Sequence, residues 1–508
     1  MNGWLIALIV VGGLLFVVAV HDVVQRRNAV WRNFPVIGHF RNFFETTGPE
    51  MRQYWISADN QEQPFNRDQR RWVDASSRQR DNHIGFGTEA DLERSSNYLI
   101  IKPAVFPLPA LAAAADDVPG AKVLGGPRGR VKAFRPASVI NGSAMSFGSL
   151  SGPAIEAINR GAAIAGCWQN TGEGGLVRHH LHGGDLVFQM GTGYFGCRTP
   201  TGAFDLSRLV DLVAAAPVRA VEIKLSQGAK PGLGGILPAA KVTPEIAAIR
   251  GVEVGKDCVS PPAHSAFRDV SSLLDFVEMV AEATGLPVGI KSAVGETGFW
   301  SHLARQMEHG ERGVDFITID GGEGGTGAAP LVFADHVALP WKIGFARVYG
   351  AFAEAGVTRR VTFIGSGKLG FAEAALMAFA MGADMINVAR EAMLSVGCIQ
   401  SMKCHTGRCP VGVATQSVRF TRGLDPELKS VRFAAYVKAL RHDLLALSHA
   451  CGAAHPSLVT PDHLEIIDGH FHAARLRTVF DYEPGWAVPD PVECGQLEAF
   501  MATRNLTV

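Results

Sequence analysis

The amino-acid sequence predicts an α/β protein built on a (β/α)8 TIM barrel, with an N-terminal transmembrane helix and an irregular N-terminal arm. From residue 138 onward, eight short β-branched runs alternate with Ala-rich amphipathic segments, and this alternation favours parallel strands joined by helical crossovers. A count of eight favours a closed barrel over an open sheet. Residues 1–20 carry no charged side chain, which is typical of a helix in a lipid bilayer.

The apolar N-terminal segment, residues 1–21, is expected to be a single-pass membrane anchor, because a helix of about 20 residues crosses roughly 30 Å of hydrocarbon. Basic residues follow it at Arg26, Arg27, Arg32 and Arg41. Since positive charge is retained on the cytoplasmic side, we expect an anchor in the cell inner membrane with the remaining residues in the cytoplasm. A cleaved signal peptide is the alternative, since Val17 and Ala19 resemble a cleavage site, but the basic start of such peptides is missing.

The next segment, residues 22–124, is expected to form an arm packed on the barrel. As far as about residue 110 it is rich in Arg, Asn, Gln and aromatic residues and lacks the strand and helix alternation that follows. The whole chain carries 48 basic and 48 acidic residues. This balance gives no indication of nucleic-acid binding.

The barrel is assigned to residues 125–420 and a C-terminal helical extension to residues 421–508. The eight candidate strands are SVINGSAM from 138, CWQNT from 167, LVFQMGTG from 186, RAVEIK from 219, LPVGIK from 286, VDFITID from 314, RVTFIG from 360 and DMINVA from 384. Helices are expected from Gly152 and from Asp205, and near 270–284, 297–310, 343–355 and 371–381.

The C-terminal strand ends are the predicted site, because in such a barrel they line the active-site mouth. Polar, charged and glycine residues recur there: Ser143, Ala144, Met145, Ser146, Asn170, Thr171, Gly172, Glu173, Gln189, Lys224, Lys291, Asp320, Gly321, Gly322, Gly365, Gly367, Ala389 and Arg390. Strand ends with a purely structural role would need only residues that form turns.

Two glycine-rich strand ends, DGGEGGTG at 320–327 and GSGKLG at 365–370, predict a phosphate site. Backbone N–H groups that converge on such loops bind anions, and Lys368 and Arg390 lie nearby in the sequence. Ordinary turn glycine is the alternative. The glycine order of a dinucleotide-binding βαβ unit is not met, so NAD is a less expected cofactor.

Lys224 and Lys291 end two otherwise apolar strands. A cation at a barrel mouth stabilises an anion, such as the N1 region of a reduced flavin or a substrate carboxylate. Internal salt bridges with Glu173, Glu222 or Asp320 are an equally good interpretation of the spacing.

The long segment between the fourth and fifth strands carries Gln227, Lys230 and Arg250. Basic residues on a barrel-top loop suit a dicarboxylate, although a solvated loop has the same composition. The cluster HHLH at 179–182 is interpreted as a surface loop, because it has no acidic or cysteine partner at metal-ligand spacing.

Three of the eight cysteines, Cys398, Cys404 and Cys409, fall within twelve residues. Their spacing matches neither paired zinc-ribbon cysteines nor the four-cysteine runs of ferredoxins. A three-iron cluster or an open metal site is predicted, with zinc bound by the three cysteines and His405 as the runner-up and ordinary buried thiols as the remaining alternative. Disulfides fit poorly with a reducing cytosol.

Five stretches resemble the central, FMN-binding region of the glutamate synthase large subunit. They are SAMSFGSLS from 143, NTGEGG from 170, EIKLSQGAKPGLGG from 222, DGGEGGTGAAP from 320 with LPWKIG from 339, and GCIQSMKCHTGRCPVGVATQ from 397. They follow the order of that family and cover about 125–420. The resemblance implies an FMN-bearing barrel and a 3Fe-4S cluster held by Cys398, Cys404 and Cys409.

The resemblance also implies roles for the strand-end residues. Glu173 and Lys230 would be catalytic, and Gln227, Lys230 and Arg250 would bind 2-oxoglutarate or 2-iminoglutarate. The implied FMN contacts are Met145, Ser146, Asn170, Lys291, Gly322, Gly365, Gly367 and Arg390. Electrons would enter through the cluster, and reduced FMN would transfer hydride to 2-iminoglutarate to give glutamate.

Departures from the family leave alternatives open. A glutaminase domain with an N-terminal cysteine is not expected, because the chain starts with the apolar segment and its first cysteine is Cys167. GSGKLGFAE lacks the arginine of the family's phosphate loop.

The expected partners are 2-oxoglutarate or a related 2-oxo acid, an unknown electron donor such as ferredoxin or a reductase subunit, the membrane, and a second copy in a homo-oligomer. No nucleic acid is expected. An amine or amino-acid dehydrogenase feeding a membrane acceptor, or a membrane-tethered electron-transfer subunit, is the alternative.

Overall fold

A computed structural model describes residues 3–25, 28–109 and 116–505. The chain divides into two compact units, residues 1–70 and 71–508. The helices that begin before this division are α1 Gly3–Val24, α2 Ala29–Asn33, α3 Gly38–Met51 and α4 Arg67–Ser77, with a π-helical turn over Arg52–Ile56 after α3.

Helix α1 is long and apolar enough to cross a membrane, and its side chains other than Asp22 are exposed or partly exposed. Length and composition do not separate a membrane span from a signal sequence. Arg26 and Arg27, two of the basic residues used to predict its orientation, lie outside the described residues.

The second unit is built on parallel strands. Through the end of the barrel the strands are β1 Tyr98–Ile101, β2 Ile140–Gly142, β3 Trp168–Asn170, β4 Asp185–Met190, β5 Val218–Lys224, β6 Ile236–Leu237, β7 Cys258–Val259, β8 Val288–Ala293, β9 Phe316–Asp320, β10 Thr362–Ser366 and β11 Met385–Val388. Within the described residues, β2, β3, β4, β5, β8, β9, β10 and β11 pair in that order and β11 closes onto β2. The predicted (β/α)8 barrel and its eight candidate strands are confirmed.

The strands lie in a closed parallel barrel and are buried on both faces. Every residue of β8 is buried, and on β5 the exposed residue is Arg219. The approach of β8 to β9 requires glycine at 289, where a Cβ atom would lie 2.4 Å from the Phe316 ring. The glycine of VGIKSA therefore allows this strand to pack beside β9 in the barrel wall.

The helices of the second unit alternate with these strands. They are α5 Gly152–Ala165, α6 Leu206–Ala214, α7 Pro244–Arg250, α8 Val270–Thr284, α9 Gly298–Gln306, α10 Leu331–His336, α11 Trp341–Glu354, α12 Ala372–Ala380, α13 Arg390–Ser395, α14 Val418–Thr421, α15 Pro426–Ala450, α16 Leu476–Val479 and α17 Pro491–Asn505. Ser151, Asp205 and Asp269 cap α5, α6 and α8 with their side chains, which explains why these helices begin at those residues. Between β3 and β4, over the fully described residues 171–184, a 3₁₀ turn at Arg178–His180 takes the place of an α-helix.

The ring of helices is completed by α15, which packs against α5 and α12. At Gly161 of α5, a Cβ atom would lie 2.6 Å from the Ser430 carbonyl oxygen, so glycine permits this close approach. The last barrel helix therefore lies beyond the boundary assigned at residue 420. The C-terminal segment also adds β12 Leu464–Ile467 and β13 Ala473–Arg475, which form an antiparallel sheet with β1, so it is not entirely helical.

Candidate active site

The C-terminal strand ends surround one cleft of about 520 Å³, including its open mouth. Its lining comes from the ends of seven of the eight barrel strands, all but β3, and from the loops that follow them: Ser143, Ala144, Gln189, Lys224, Gln227, Lys291, Asp320, Gly324, Gly325, Ser366, Gly367, Lys368, Asn387, Ala389, Arg390 and Glu391. Converging polar groups in a cleft at this end of a barrel are the usual form of an active site.

Glu173 forms an ion pair with Lys224, which lines the cleft. Lys224 Nζ donates to Glu173 Oε1 at 2.7 Å and to Gln227 Oε1 at 2.8 Å. Burial raises the pKa of Glu173, but the positive charges of Lys224, Lys230 and Arg250 outweigh it and leave that pKa below its usual value. Glu173 is therefore ionised at neutral pH.

Lys230 and Arg250 approach the same carboxylate from the long segment between β5 and β8. Lys230 is 4% exposed and donates to the Ala328 carbonyl oxygen at 3.0 Å. Burial, together with Lys224, lowers the pKa of Lys230 to about 8. Arg250, at the end of α7, lies over the Phe195 ring and donates to the Phe147 carbonyl oxygen at 3.0 Å. Its buried Nε has no hydrogen-bond partner among the described residues. This N–H group of Arg250 is therefore available to donate to another acceptor.

Lys291 faces Asp320 across the cleft floor. Its Nζ lies 3.5 Å from Asp320 Oδ2, which also accepts a hydrogen bond from the Gly228 N–H at 2.9 Å. The internal ion pairs considered from the sequence thus form for Lys224 with Glu173 and for Lys291 with Asp320. Both lysines nevertheless line the cleft.

Asn170 and Glu222 lie deeper in the barrel. The Asn170 side chain donates to Glu222 Oε1 at 2.8 Å and accepts from the Gly172 N–H at 3.0 Å, so the structure directs it inward. Gly172 has a φ of 66°, and a Cβ atom there would lie 2.5 Å from the Ser146 nitrogen. The loop after β3 therefore packs directly on the backbone of Met145 and Ser146.

The glycine-rich loops form the opposite, cationic end of the cleft. Gly367 and Lys368, both with positive φ, make the turn after β10. Arg390 extends along the DGGEGGTG loop, where a Cβ atom on Gly325 would lie 2.7 Å from Arg390 Cδ. Burial, then Arg390, lowers the pKa of Lys368. Two cations thus converge on one small volume.

Gly322 and Gly365 differ from Gly367. The Gly322 N–H donates to the Leu339 carbonyl oxygen at 2.9 Å, and a Cβ atom on Gly365 would lie 3.0 Å from the Trp341 ring. These two glycines allow close packing rather than lining the cleft. Asn387 was not singled out from the sequence, although it lines the cleft and its buried Oδ1 has no partner among the described residues.

The cysteine loop follows α13. Cys404 begins a 3₁₀ turn, Cys409 is 4% exposed, and Cys398 Sγ accepts a hydrogen bond from the Gln400 N–H. No group of three His, Cys, Asp or Glu side chains among the described residues could hold a metal ion. This argues against the zinc site with His405, because one ion needs its ligands to converge. A three-iron cluster takes one thiolate for each iron, so the three soft donors on one loop fit it without meeting at a point.

Lys241 lies beside this loop and was missed from the sequence. It is 1% exposed, its Nζ donates to the Ser149 carbonyl oxygen at 2.8 Å, and a Cβ atom on Gly407 would lie 3.9 Å from its Cγ. Burial lowers the pKa of Lys241 to about 8, although the nearby Cys404 and Cys409 act in the opposite direction. The sequence feature that could have identified Lys241 is its position as a lysine within the apolar segment LPAAKV.

The cysteine loop is joined to the loop that follows Met145 and Ser146. The Ser151 N–H donates to the Val413 carbonyl oxygen at 2.9 Å, and Gln416 Nε2 donates to the Leu150 carbonyl oxygen at 2.8 Å. The thiols and the cleft are therefore connected through one short backbone segment.

The histidines at 179–182 do not form a simple surface loop. His180 is fully buried, and its Nδ1 accepts a hydrogen bond from the Val177 N–H at 3.2 Å. Burial lowers the pKa of His180 to about 3, so it is neutral at physiological pH. Its role is to hold the 3₁₀ turn between β3 and β4.

Comparison with known proteins gives matches over most of this unit. A family model described as "Conserved region in glutamate synthase" matches residues 129–454. Glutamate synthase large subunit-like protein YerD of Bacillus subtilis is 35% identical over 497 residues, covering 91% of this chain and 94% of that protein. An archaeal glutamate synthase (NADPH) of Methanocaldococcus jannaschii is 35% identical over 313 residues, covering 61% of this chain and 58% of that protein.

Among solved structures, a mandelate oxidase with an FMN adduct matches with a TM-score of 0.42 and 16% identity, over 74% of this chain and 88% of that one. This likeness is too distant to add to the topology already described. The family model covers more than half of the chain, and YerD matches it almost from end to end. The chain belongs to the glutamate synthase family.

Proposed function

We propose that this protein is a glutamate-synthase-type oxidoreductase that reduces 2-iminoglutarate, formed from 2-oxoglutarate and ammonia, to glutamate. The observation that carries the proposal is the ionised Glu173 held among Lys224, Lys230 and Arg250 beside the cleft. One carboxylate near three cations leaves positive charge for an anionic substrate. Membership of the glutamate synthase family supports this reaction class.

The substrate is a dicarboxylate, and two cationic groups are available for its two ends. Arg250 has an unused buried donor, and a guanidinium binds a carboxylate with two parallel hydrogen bonds. Lys230 supplies the second charge. The protonated imine nitrogen is positive and is attracted to the Glu173 carboxylate, which keeps the imine carbon facing the cleft. In the reduction, two electrons and one proton reach the carbon as hydride, and the nitrogen becomes the amino group of glutamate.

The cleft fits FMN. Lys368, Arg390 and the backbone at Gly367 would hold the phosphate, and they replace the arginine that GSGKLGFAE lacks. Lys291 and the unpartnered Asn387 oxygen lie along the remaining length. When bound, the flavin supplies the hydride. Asn170 contributes through Glu222 and Gly172 rather than by direct contact.

Cys398, Cys404 and Cys409 would hold a 3Fe-4S cluster, which supplies single electrons when bound. Lys241 offsets the negative charge of the thiolates from its buried position. The connection between the cysteine loop and residues 146–151 gives a short path to the cleft. The archaeal relatives carry NADPH in their names, and NADPH, ferredoxin and a reductase subunit are the donors to compare.

Helix α1 would anchor the protein in the cell inner membrane with the barrel in the cytoplasm. Its apolar length supports this location. Free ammonium is the nitrogen source to test first.

The test uses the full chain purified in detergent. Flavin and iron are assayed, and glutamate is measured from 2-oxoglutarate and ammonium with dithionite-reduced viologen as the electron source. We expect bound FMN, iron and glutamate formation, with activity lost in Lys230→Ala and retained in Lys256→Ala, a surface lysine. A protein without flavin would overturn the proposal. Electron release from glutamate without the forward reaction would instead favour a dehydrogenase, and cofactors without turnover an electron-transfer subunit.

A further inference from the structure

The first unit exposes a cluster of large apolar side chains just after α1. Each member is more than half exposed, from 56% for Phe43 and Phe44 to 82% for Trp55. We call this cluster the aromatic face, and it consists of Phe34, Ile37, Phe40, Phe43, Phe44 and Trp55. Apolar patches of this kind on a soluble surface mark a binding site for a protein or a membrane.

Three members of the aromatic face follow helical spacing around the start of α3. Ile37, Phe40 and Phe44 are three and four residues apart, so they lie on one side of α3 at its start. Gly38 lies elsewhere on the helix and is buried against Val30 of α2. Arg41 pairs with Glu45 at 3.0 Å on the exposed polar side. Helix α3 is therefore amphipathic, with its apolar side facing outward.

The start of α3 is fixed to the end of α1. Asp22 is fully buried, accepts a hydrogen bond from the Val36 N–H at 2.9 Å and pairs with His39 Nε2 at 2.9 Å. The Trp31 ring stacks on His39 with 4.1 Å between centroids. Helix α1 has 22 residues and is about 33 Å long, close to the thickness of a bilayer core. If α1 spans the bilayer, α3 begins at the membrane surface.

We propose that the aromatic face lies in the headgroup region of the same membrane and binds lipid there. This rests on the membrane anchoring given under the proposed function. Trp and Phe are favoured at this boundary, where amphipathic helices lie with the apolar side in the acyl region. The aromatic face then adds a second membrane contact and limits the freedom of the segment that follows the anchor.

The experiment introduces the photoreactive residue p-benzoylphenylalanine into the full chain at Phe40 or at Phe44, and at Glu45 as the matched control on the polar side of the same helix. Native membranes are irradiated, and adducts on the purified protein are identified by mass spectrometry. We expect several-fold more phospholipid adduct at Phe40 and Phe44 than at Glu45. Equal labelling at the three positions would overturn the proposal, and so would adducts to a second copy of the chain in place of lipid.

Carbonate extraction of the same membranes separates this proposal from the anchor. Protein that resists extraction but shows no lipid adduct at Phe44 contradicts the aromatic face and leaves the anchor intact. Protein that carbonate removes contradicts the anchor itself. The glutamate assay is independent of both outcomes.

Discussion

Two glutamates of the barrel, Glu222 and Glu173, have different surroundings. Glu222, 1% exposed, accepts hydrogen bonds from the neutral side chains of Asn170, Gln189 and Thr318 at 2.6 to 2.8 Å. Glu173, with 15% of its side chain exposed, pairs with Lys224 and lies near Lys230 and Arg250. The first joins β3, β4, β5 and β9 within the barrel, and the second is joined through Lys224 to the lining of the cleft.

The difference shows how one residue type serves two purposes. A buried carboxylate that accepts hydrogen bonds from neutral donors stabilises packing, because those donors would otherwise be left without a partner. A carboxylate surrounded by more positive charge than it can neutralise favours an added anion. We therefore expect substitutions at Glu222 to change stability and substitutions at Glu173 to change chemistry.

The largest expected effect comes from Glu222→Ala. It leaves three buried donors without an acceptor, and each such group costs about 1–3 kcal/mol, so we expect the free energy of unfolding to fall by about 3 kcal/mol or more. Urea denaturation followed by circular dichroism measures this. The matched variant Glu222→Gln keeps the volume and one acceptor and should lose less. A Glu222→Ala protein as stable as wild type would mean that the network is not a structural element.

The next effect is expected for Glu173→Gln. The substitution keeps the volume but removes the charge that holds the imine nitrogen, so kcat/KM for glutamate formation should fall about 10²-fold. Thermal unfolding should change less than in Glu222→Ala, because the glutamine side chain can still accept a hydrogen bond from Lys224. Steady-state kinetics and calorimetry on the same preparation separate the two quantities. A large loss of stability with normal kinetics in the surviving protein would reverse the roles of the two glutamates.

A smaller effect is expected from pH. The pKa of Lys230 is about 8, so its ammonium is charged below that pH and loses its proton as the pH rises through it. Affinity for 2-oxoglutarate should therefore be constant at lower pH and decline above about 8. Isothermal titration calorimetry measures the dissociation constant. Lys230→Arg provides the control, because arginine stays charged and should remove the decline.

The smallest effect concerns Lys241, which does not line the cleft. Replacing its buried positive charge in Lys241→Met should lower the reduction potential of the bound iron-sulfur cluster, because the reduced cluster carries more negative charge. A redox titration followed by electron paramagnetic resonance measures the shift, and Lys241→Arg should restore it. An unchanged reduction potential would mean that Lys241 has only a structural role, through its hydrogen bond to the Ser149 carbonyl oxygen.

Much of the architecture was predictable because it depends on local patterns. Seven of the eight strands contain β-branched residues, β3 being the exception, and helices α5, α6 and α8 begin at side chains able to cap them. The final barrel helix, α15, was placed outside the barrel because its packing on α5 depends on Gly161, which is remote in sequence.

The candidate site was predictable in its membership but not in its pairing. Strand ends identified Glu173, Lys224, Lys291 and Asp320 as neighbours of the mouth, because parallel strands bring their carboxyl ends together. Periodicity could not distinguish Asn170, directed inward to Glu222, from Gln227, directed to the cleft. It also gave no role to Asn387, whose unpartnered oxygen becomes visible only in the folded cleft.

By itself, the sequence determined the barrel, the apolar N-terminal helix, the three-cysteine loop and the residue types at the mouth, since these follow from hydrophobic period, composition and spacing. The tertiary structure alone decided which lysine meets which carboxylate, that Lys241 lies beside the thiols, and that Glu222 accepts from neutral donors while Glu173 pairs with a lysine of the cleft. Charge pairing in a closed barrel depends on register and on the loops between distant strands. A charged side chain therefore meets its ion-pair partner only when the strands have closed into the barrel.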